Sequence, residues 1–155
     1  MDLLTDRADL IELLGRYADV ADLKEFTDLP GRVLTDPVTL DFEQVTGIPV
    51  TTLPLPAYSE VLRASFAPFT ATHHTITGHV VEVDGDRATI HAHVRAEHWV
   101  PDEVAAGGPN RWLMVGFYDN EAVRTADGWR LSRVRLTATH QENAHLQPAA
   151  AGQAG

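Results

Sequence analysis

The chain has 155 residues, 44% hydrophobic and 22% charged, with a formal net charge of −10. That is the size and composition of one globular domain, and the negative balance disfavours nucleic acid and anionic membrane surfaces as partners. The absence of cysteine excludes disulfides, zinc–thiolate sites, iron–sulfur clusters and a cysteine nucleophile.

The opening "MDLLTDRADLIELL" is acidic from its second residue, unlike a signal peptide. No stretch approaches the roughly 20 apolar residues of a membrane helix, so the expected location is the cytoplasm. Thr5 is the predicted N-cap of a first helix over residues 5–22, with Asp6 in its first turn. Leu10, Ile11, Leu14, Tyr17, Ala18 and Ala21 recur at helical spacing and form its apolar stripe. "KEFTDLPGRV" reads as a short second helix broken by Pro30 and Gly31. "VTLDFE" reads as a strand, and the proline-rich "TGIPVTTLPLP" as a loop. A further helix begins at Ala57, with Tyr58, Val61, Leu62 and Phe66 on one face.

From there the period changes to two. Two long hairpins are predicted, one turning at Asp84-Gly85 and one at Asp127-Gly128, separated by a flexible loop, "PDEVAAGGPN". The tail "QPAAAGQAG", residues 147–155, has nothing to bury and is expected to be disordered, which leaves residues 1–146 as a single domain. Helices first and hairpins after, without βαβ alternation, argue an α+β fold with helices on one face of an antiparallel sheet. Such a sheet, strongly curved, leaves a cone-shaped cavity suited to a small molecule.

Side-chain alternation sorts the histidines. In "TATHHTITGHV", His74 shares parity with Ile76, Gly78 and Val80, while His73 and His79 fall on the opposite, more polar face. In the next strand, Ile90, Ala92, Val94, Ala96 and His98 share one face, and His91, His93, Arg95 and Glu97 the other. Asp22 lies in phase with Ile11 and Ala18 on the first helix. Three titratable groups, Asp22, His74 and His98, are therefore expected to converge on one interior. A carboxylate beside an imidazole fixes its tautomer and raises its basicity, and a second imidazole can serve as acid. The alternative is a satisfied polar cluster that only supports the fold. His91 and His93 could chelate a metal from one strand face, but no third ligand is evident and a solvated face explains them, so no metal is assigned. His140 and His145 carry no interpretable context.

"DRADLIELLGRYADVADLKEF", "VDGDRATIHAHV" and "GFYDNEAVRTADGWRLSRVRL" together resemble the SnoaL-like branch of the nuclear transport factor 2-like (NTF2-like) superfamily, over most of residues 5–138. The resemblance implies a cone-shaped α+β barrel, a homodimer or homotrimer, and no cofactor. Within it, Asp22, His74 and His98 fall where scytalone dehydratases carry their catalytic aspartate and two histidines. In that family the histidine–aspartate pair abstracts a proton next to a ketone, and a histidine assists departure of hydroxide as water. The family's two carbonyl-polarising tyrosines fall on Ala21 and Phe42, and its asparagine near Asp119 and Asn120. Tyr17, Tyr58 or Tyr118 is left to supply a phenol. The reading is a cofactor-independent dehydratase, isomerase or cyclase acting on a small ring-containing ketone or polyketide-like intermediate. Catalysis would fall to Asp22, His74 and His98, and the substrate would be lined by Tyr17, Phe42, Tyr58, Tyr118 and Asn120. The rival is a non-catalytic binding or dimerisation domain on the same cone.

Overall fold

The structure is a computed structural model, described here for residues 2–148. The first helix, α1 (Leu3–Asp22), starts ahead of the predicted Thr5 because Asp2 is the N-cap, its carboxylate accepting from the Leu4 N–H at 3.0 Å. Its buried face carries Leu10, Leu13, Leu14, Tyr17, Ala18, Val20 and Ala21. Ile11, predicted in the apolar stripe, lies at the stripe's edge and is partly exposed. A short helix α2 (Leu29–Val33) follows. Pro30 does not break it. It sits in the first turn, where a missing N–H costs nothing.

Strand β1 (Leu34–Asp41) begins earlier than the predicted "VTLDFE" and ends before Phe42, which instead caps a one-turn helix α3 (Glu43–Thr46). Within the predicted loop, β2 (Thr51–Leu53) pairs with β1 as an edge strand. Pro49 and Pro54 bracket it and keep it short. Helix α4 (Leu55–Phe66) starts before Ala57, with Pro56 in its first turn.

Strands β3 (Ala71–Asp84), β4 (Arg87–Trp99), β5 (Arg111–Thr125) and β6 (Gly128–Glu142) form the two long hairpins. The two-residue turns are Gly85-Asp86 and Ala126-Asp127, one residue displaced from the predicted pairs, because Asp84 pairs with Arg87 and Thr125 with Gly128. The segment predicted as a flexible loop contains a short helix, α5 (Asp102–Ala105). The sheet has six strands in the order β2-β1-β6-β5-β4-β3, antiparallel throughout except for the parallel β1–β6 pair. It is curved and does not close, so the cone is an open one.

The core fills the space between the helices and the inward sheet face, with Leu10, Leu14, Val33, Val38, Leu131 and Val134 among its fully buried members. No described helix is long and apolar enough to cross a membrane. A 3₁₀ turn (Ala144–Leu146) follows β6. Residues 149–155, most of the predicted disordered tail, lie outside the described residues, whereas Gln147 and Pro148 line the cavity described below.

One strand departs from simple alternation. Between Thr77 and Val80 the β3–β4 register shifts: three steps along β3 span two along β4, from His93 to His91. Gly78 supplies the positive φ of +64° that such a bulge needs. Beyond it the faces exchange. Val81 is buried, and Val80, predicted inward, is 55% exposed.

Candidate active site

The cone encloses a cavity of about 520 Å³, within the range of small-molecule sites. Its walls come from α1, α4, the β1–β2 region, the inward face of β3 to β6 and the residues after β6. His74 and His98 both line it. Asp22, the last residue of α1, stands behind His74. The bulge leaves Ala71 to Thr77 in register with β4, so His98 lies opposite Thr72 and diagonal to His74. The two imidazole rings meet edge to face, 5.3 Å between centroids at 86°. The three residues selected by parity are thus brought together.

Asp22 is held by a set of donors that parity alone does not identify. Its Oδ1 accepts from the Thr72 hydroxyl at 2.8 Å and lies 2.7 Å from His74 Nδ1. Its Oδ2 accepts the backbone N–H of His74 at 2.7 Å. Strand β3 is a sheet edge, and the carboxylate occupies the place of a neighbouring strand for that N–H. Partial burial pushes the Asp22 carboxyl up, but hydrogen bonding and charge from His74, with the Thr72 hydroxyl, outweigh it and hold the group below the usual range. An ionised Asp22 accepts from His74 Nδ1–H, which leaves Nε2 with a free lone pair. His73, on the opposite face as predicted, is 69% exposed.

His98 sits differently. Its ring stacks on Trp112, 4.2 Å between centroids at 21°, and packs against Phe69 at 5.0 Å. Trp112 is directly opposite on β5. The residue is only 3% exposed, and its buried Nδ1 has no hydrogen-bond partner among the described residues. Burial, with the neighbouring His74 adding to it, lowers its pKa to about 3. His98 is therefore neutral at physiological pH.

Of the predicted lining residues, Tyr17, Phe42, Tyr58 and Tyr118 border the cavity, as does Ala21. Asn120 does not: it is buried on β5, its Oδ1 accepting from the Arg135 N–H at 3.1 Å. Sequence reasoning missed Thr72, Phe69 and Trp112. Thr72 has the parity of His74, and Trp112 that of Met114 and Tyr118, so inspection of those rows could have found both. Phe69 precedes the strand and gave no such signal. His91 and His93 lie on the outer face, where His91 Nδ1 is 2.7 Å from Asp119 Oδ1 and Phe117 packs against both rings. Among the described residues no group of three or more histidine or acidic side chains is placed to hold a metal ion.

The chain is similar in sequence and fold to known proteins. The SnoaL-like domain family matches residues 2–135. An uncharacterised protein of Mycobacterium tuberculosis is 32% identical over 131 residues, covering 84% of this chain and 83% of its own. A crystal structure of a protein from Kribbella flavida is 74% identical with a TM-score of 0.93, covering 94% of this chain and 99% of that one. A protein from Novosphingobium aromaticivorans named as a candidate scytalone dehydratase superposes with a TM-score of 0.78 at 18% identity, over 98% of this chain and 97% of that one. At that identity it shares the fold alone. The chain belongs to the SnoaL-like domain family, and its architecture is the NTF2-like cone.

Proposed function

We propose that the protein is a cofactor-independent acid–base enzyme acting on a small, largely apolar, ring-containing ketone. The observation that carries this reading is the Asp22–His74 pair, 2.7 Å apart, opening into a mostly apolar cavity. His74 Nε2 takes a proton from the carbon beside the carbonyl, and Asp22 orients the ring and stabilises the imidazolium that forms. In an elimination, the C–O bond then breaks and the departing oxygen takes that proton from His74, leaving as water. Isomerisation or cyclisation would use the same first step. His98, the expected general acid, enters as a neutral imidazole. It lines the cavity, and a neutral imidazole can donate a hydrogen bond to the departing oxygen. The candidate scytalone dehydratase among the structural neighbours supports the choice of reaction class.

The test is exchange of the α-protons of 2-tetralone, a bicyclic ketone, followed by NMR in deuterium oxide. His74→Ala and Asp22→Asn should each slow exchange by about 10²- to 10⁴-fold, the usual scale of positioned acid–base catalysis. Rates equal to wild type in both variants would remove the base and leave a non-catalytic ligand-binding domain, the second reading that an apolar cavity permits. We further propose a homodimer or homotrimer acting in the cytoplasm, within secondary metabolism. Light scattering on the purified protein tests the assembly.

A further inference from the structure

Adjacent residues of a strand point to opposite faces, so His73 and His74 carry their rings on the two sides of β3. Because β3 is a sheet edge, a carboxylate just beyond it can reach either ring. Asp22 stands there. Its Oδ1 is 2.7 Å from His74 Nδ1 on the cavity side, and its Oδ2 is 3.9 Å from His73 Nδ1 on the outer side. The backbone N–H of His74 belongs to the strand itself and does not choose between the rings. Thr72 does. It shares the inward face with His74, pairs across the ladder with His98, and is buried. Its hydroxyl donates to Oδ1 at 2.8 Å, the same oxygen that meets His74 Nδ1. The β-branch limits χ1, so that donor has a fixed direction. Asp22 needs such donors. It ends α1, whose last turn carries no basic residue, and the C-terminal end of a helix disfavours a carboxylate. Lys24, two residues on, donates to the Phe69 carbonyl instead.

We propose that Thr72 is the positioning residue that commits Asp22 to His74 rather than to His73, and so keeps the His74 proton on Nδ1 and its Nε2 lone pair free. The consequence for rate rests on the acid–base reading above; the consequence for the tautomer does not. Without the hydroxyl, Oδ1 loses one of its two inward partners, and the carboxylate is free to turn toward the exposed His73 ring. His74 Nδ1 then lacks a fixed acceptor, and fewer molecules present an unprotonated Nε2 as base.

Two measurements test this. Ring nitrogen shifts of ¹⁵N-histidine-labelled protein read the tautomer of His74, and exchange of the α-protons of 2-tetralone reads the base. Thr72→Val and Thr72→Ala should each move His74 toward the Nε2-protonated form and slow exchange by about 10- to 10²-fold, the scale for a misplaced catalytic group. Thr72→Ser, which keeps the hydroxyl, should retain the wild-type tautomer and most of the rate. Adding His73→Ala to Thr72→Val removes the outer partner and should recover part of both losses, a response that a mere structural tie between α1 and β3 would not give. In an Asp22→Asn background, Thr72→Val should change exchange by less than about twofold, because it acts through the carboxylate. An unmoved tautomer in Thr72→Val, no recovery on adding His73→Ala, or a loss of full size in the Asp22→Asn background overturns the assignment. A tautomer that follows Thr72 while exchange ignores His74→Ala would sink the acid–base reading and leave the positioning role standing.

Discussion

His98 illustrates how a single side chain takes its chemistry from its surroundings. An imidazole titrates near 6.5 in an unfolded chain, whereas His98, stacked on Trp112 and enclosed, titrates at about 3 when folded. Above pH 6.5 both states are neutral and the difference contributes nothing. As pH falls from 6.5 toward 3, the unfolded chain takes up a proton that the folded chain refuses, and stability is lost at about 1.4 kcal/mol per pH unit. Denaturant unfolding at a series of pH values should therefore show a steeper loss in wild type than in His98→Phe between pH 6 and 4, by about one proton. Parallel curves would mean that His98 is not desolvated. Asp22 has the same sign, in a lower pH window. Its depressed carboxyl contributes stability that is present above the ordinary carboxylate range and lost only as pH falls through its lower folded value. Replacing it with alanine strands the His74 N–H and should cost about 1–3 kcal/mol in urea unfolding. Asp22→Asn, which keeps an acceptor oxygen, should cost less.

At the level of elements, the site depends on where the strands break register. The β3 bulge keeps His74 on the inner face while releasing Val81 and Val83 inward beyond it. A Cβ at Gly78 would have to adopt a positive φ and would lie 3.0 Å from His93 Cδ2. Gly78→Ala should cost about 1–2 kcal/mol. A second irregularity separates Val115 from Gly116 on β5. There a Cβ would stand 1.9 Å from the Thr137 carbonyl oxygen and 2.9 Å from the Ala138 Cα, both backbone atoms that cannot swing aside. Gly116→Ala should cost about 3 kcal/mol or more, measured as a fall in the urea midpoint. If that variant were as stable as wild type, the close approach of β5 and β6 would be wrong. Neither glycine announces its bulge in the sequence, since a glycine in a strand can as well be a weak point.

Across the whole molecule, α1 is tied to the second hairpin by one buried carboxylate. Asp6 Oδ1 accepts from Trp129 Nε1 at 3.1 Å, and Oδ2 from Arg124 at 2.8 Å. Arg124 in turn lies 4.3 Å over the Trp129 ring and reaches Asp86 on the first hairpin. From sequence, Asp6 looked like a first-turn acid complementing the helix dipole. Folded, its carboxyl is held below the usual range chiefly by the Arg124 hydrogen bond. Asp6→Asn should lower the thermal midpoint near neutrality. The gap to wild type should narrow as pH falls through the folded carboxyl value, because protonation removes the same charge. A gap independent of pH would show that the charge is not what matters. Since Asp6 and Asp22 lie on one helix, the clamp also helps to hold the helix that presents the catalytic candidate.

The sequence by itself determined the element types that are long and strongly periodic: the first helix, the two hairpins and the inward row of β4 that ends at His98. Those follow from short-range periodicity, which a single segment carries without help. It also placed Asp22 and His74 on inward faces, because one helix phase and one strand parity suffice for that. The pairing of Asp22 with Thr72 and with the backbone N–H and Nδ1 of His74, the neutral state of His98 and the meeting of Tyr17 with Tyr58 were decided only by the tertiary structure. So were the short strand β2, the exclusion of Asn120 from the cavity and the face exchange beyond Gly78. Each depends on groups far apart in the chain coming within a few ångströms, where burial and hydrogen bonding set the chemistry and local pattern has no say.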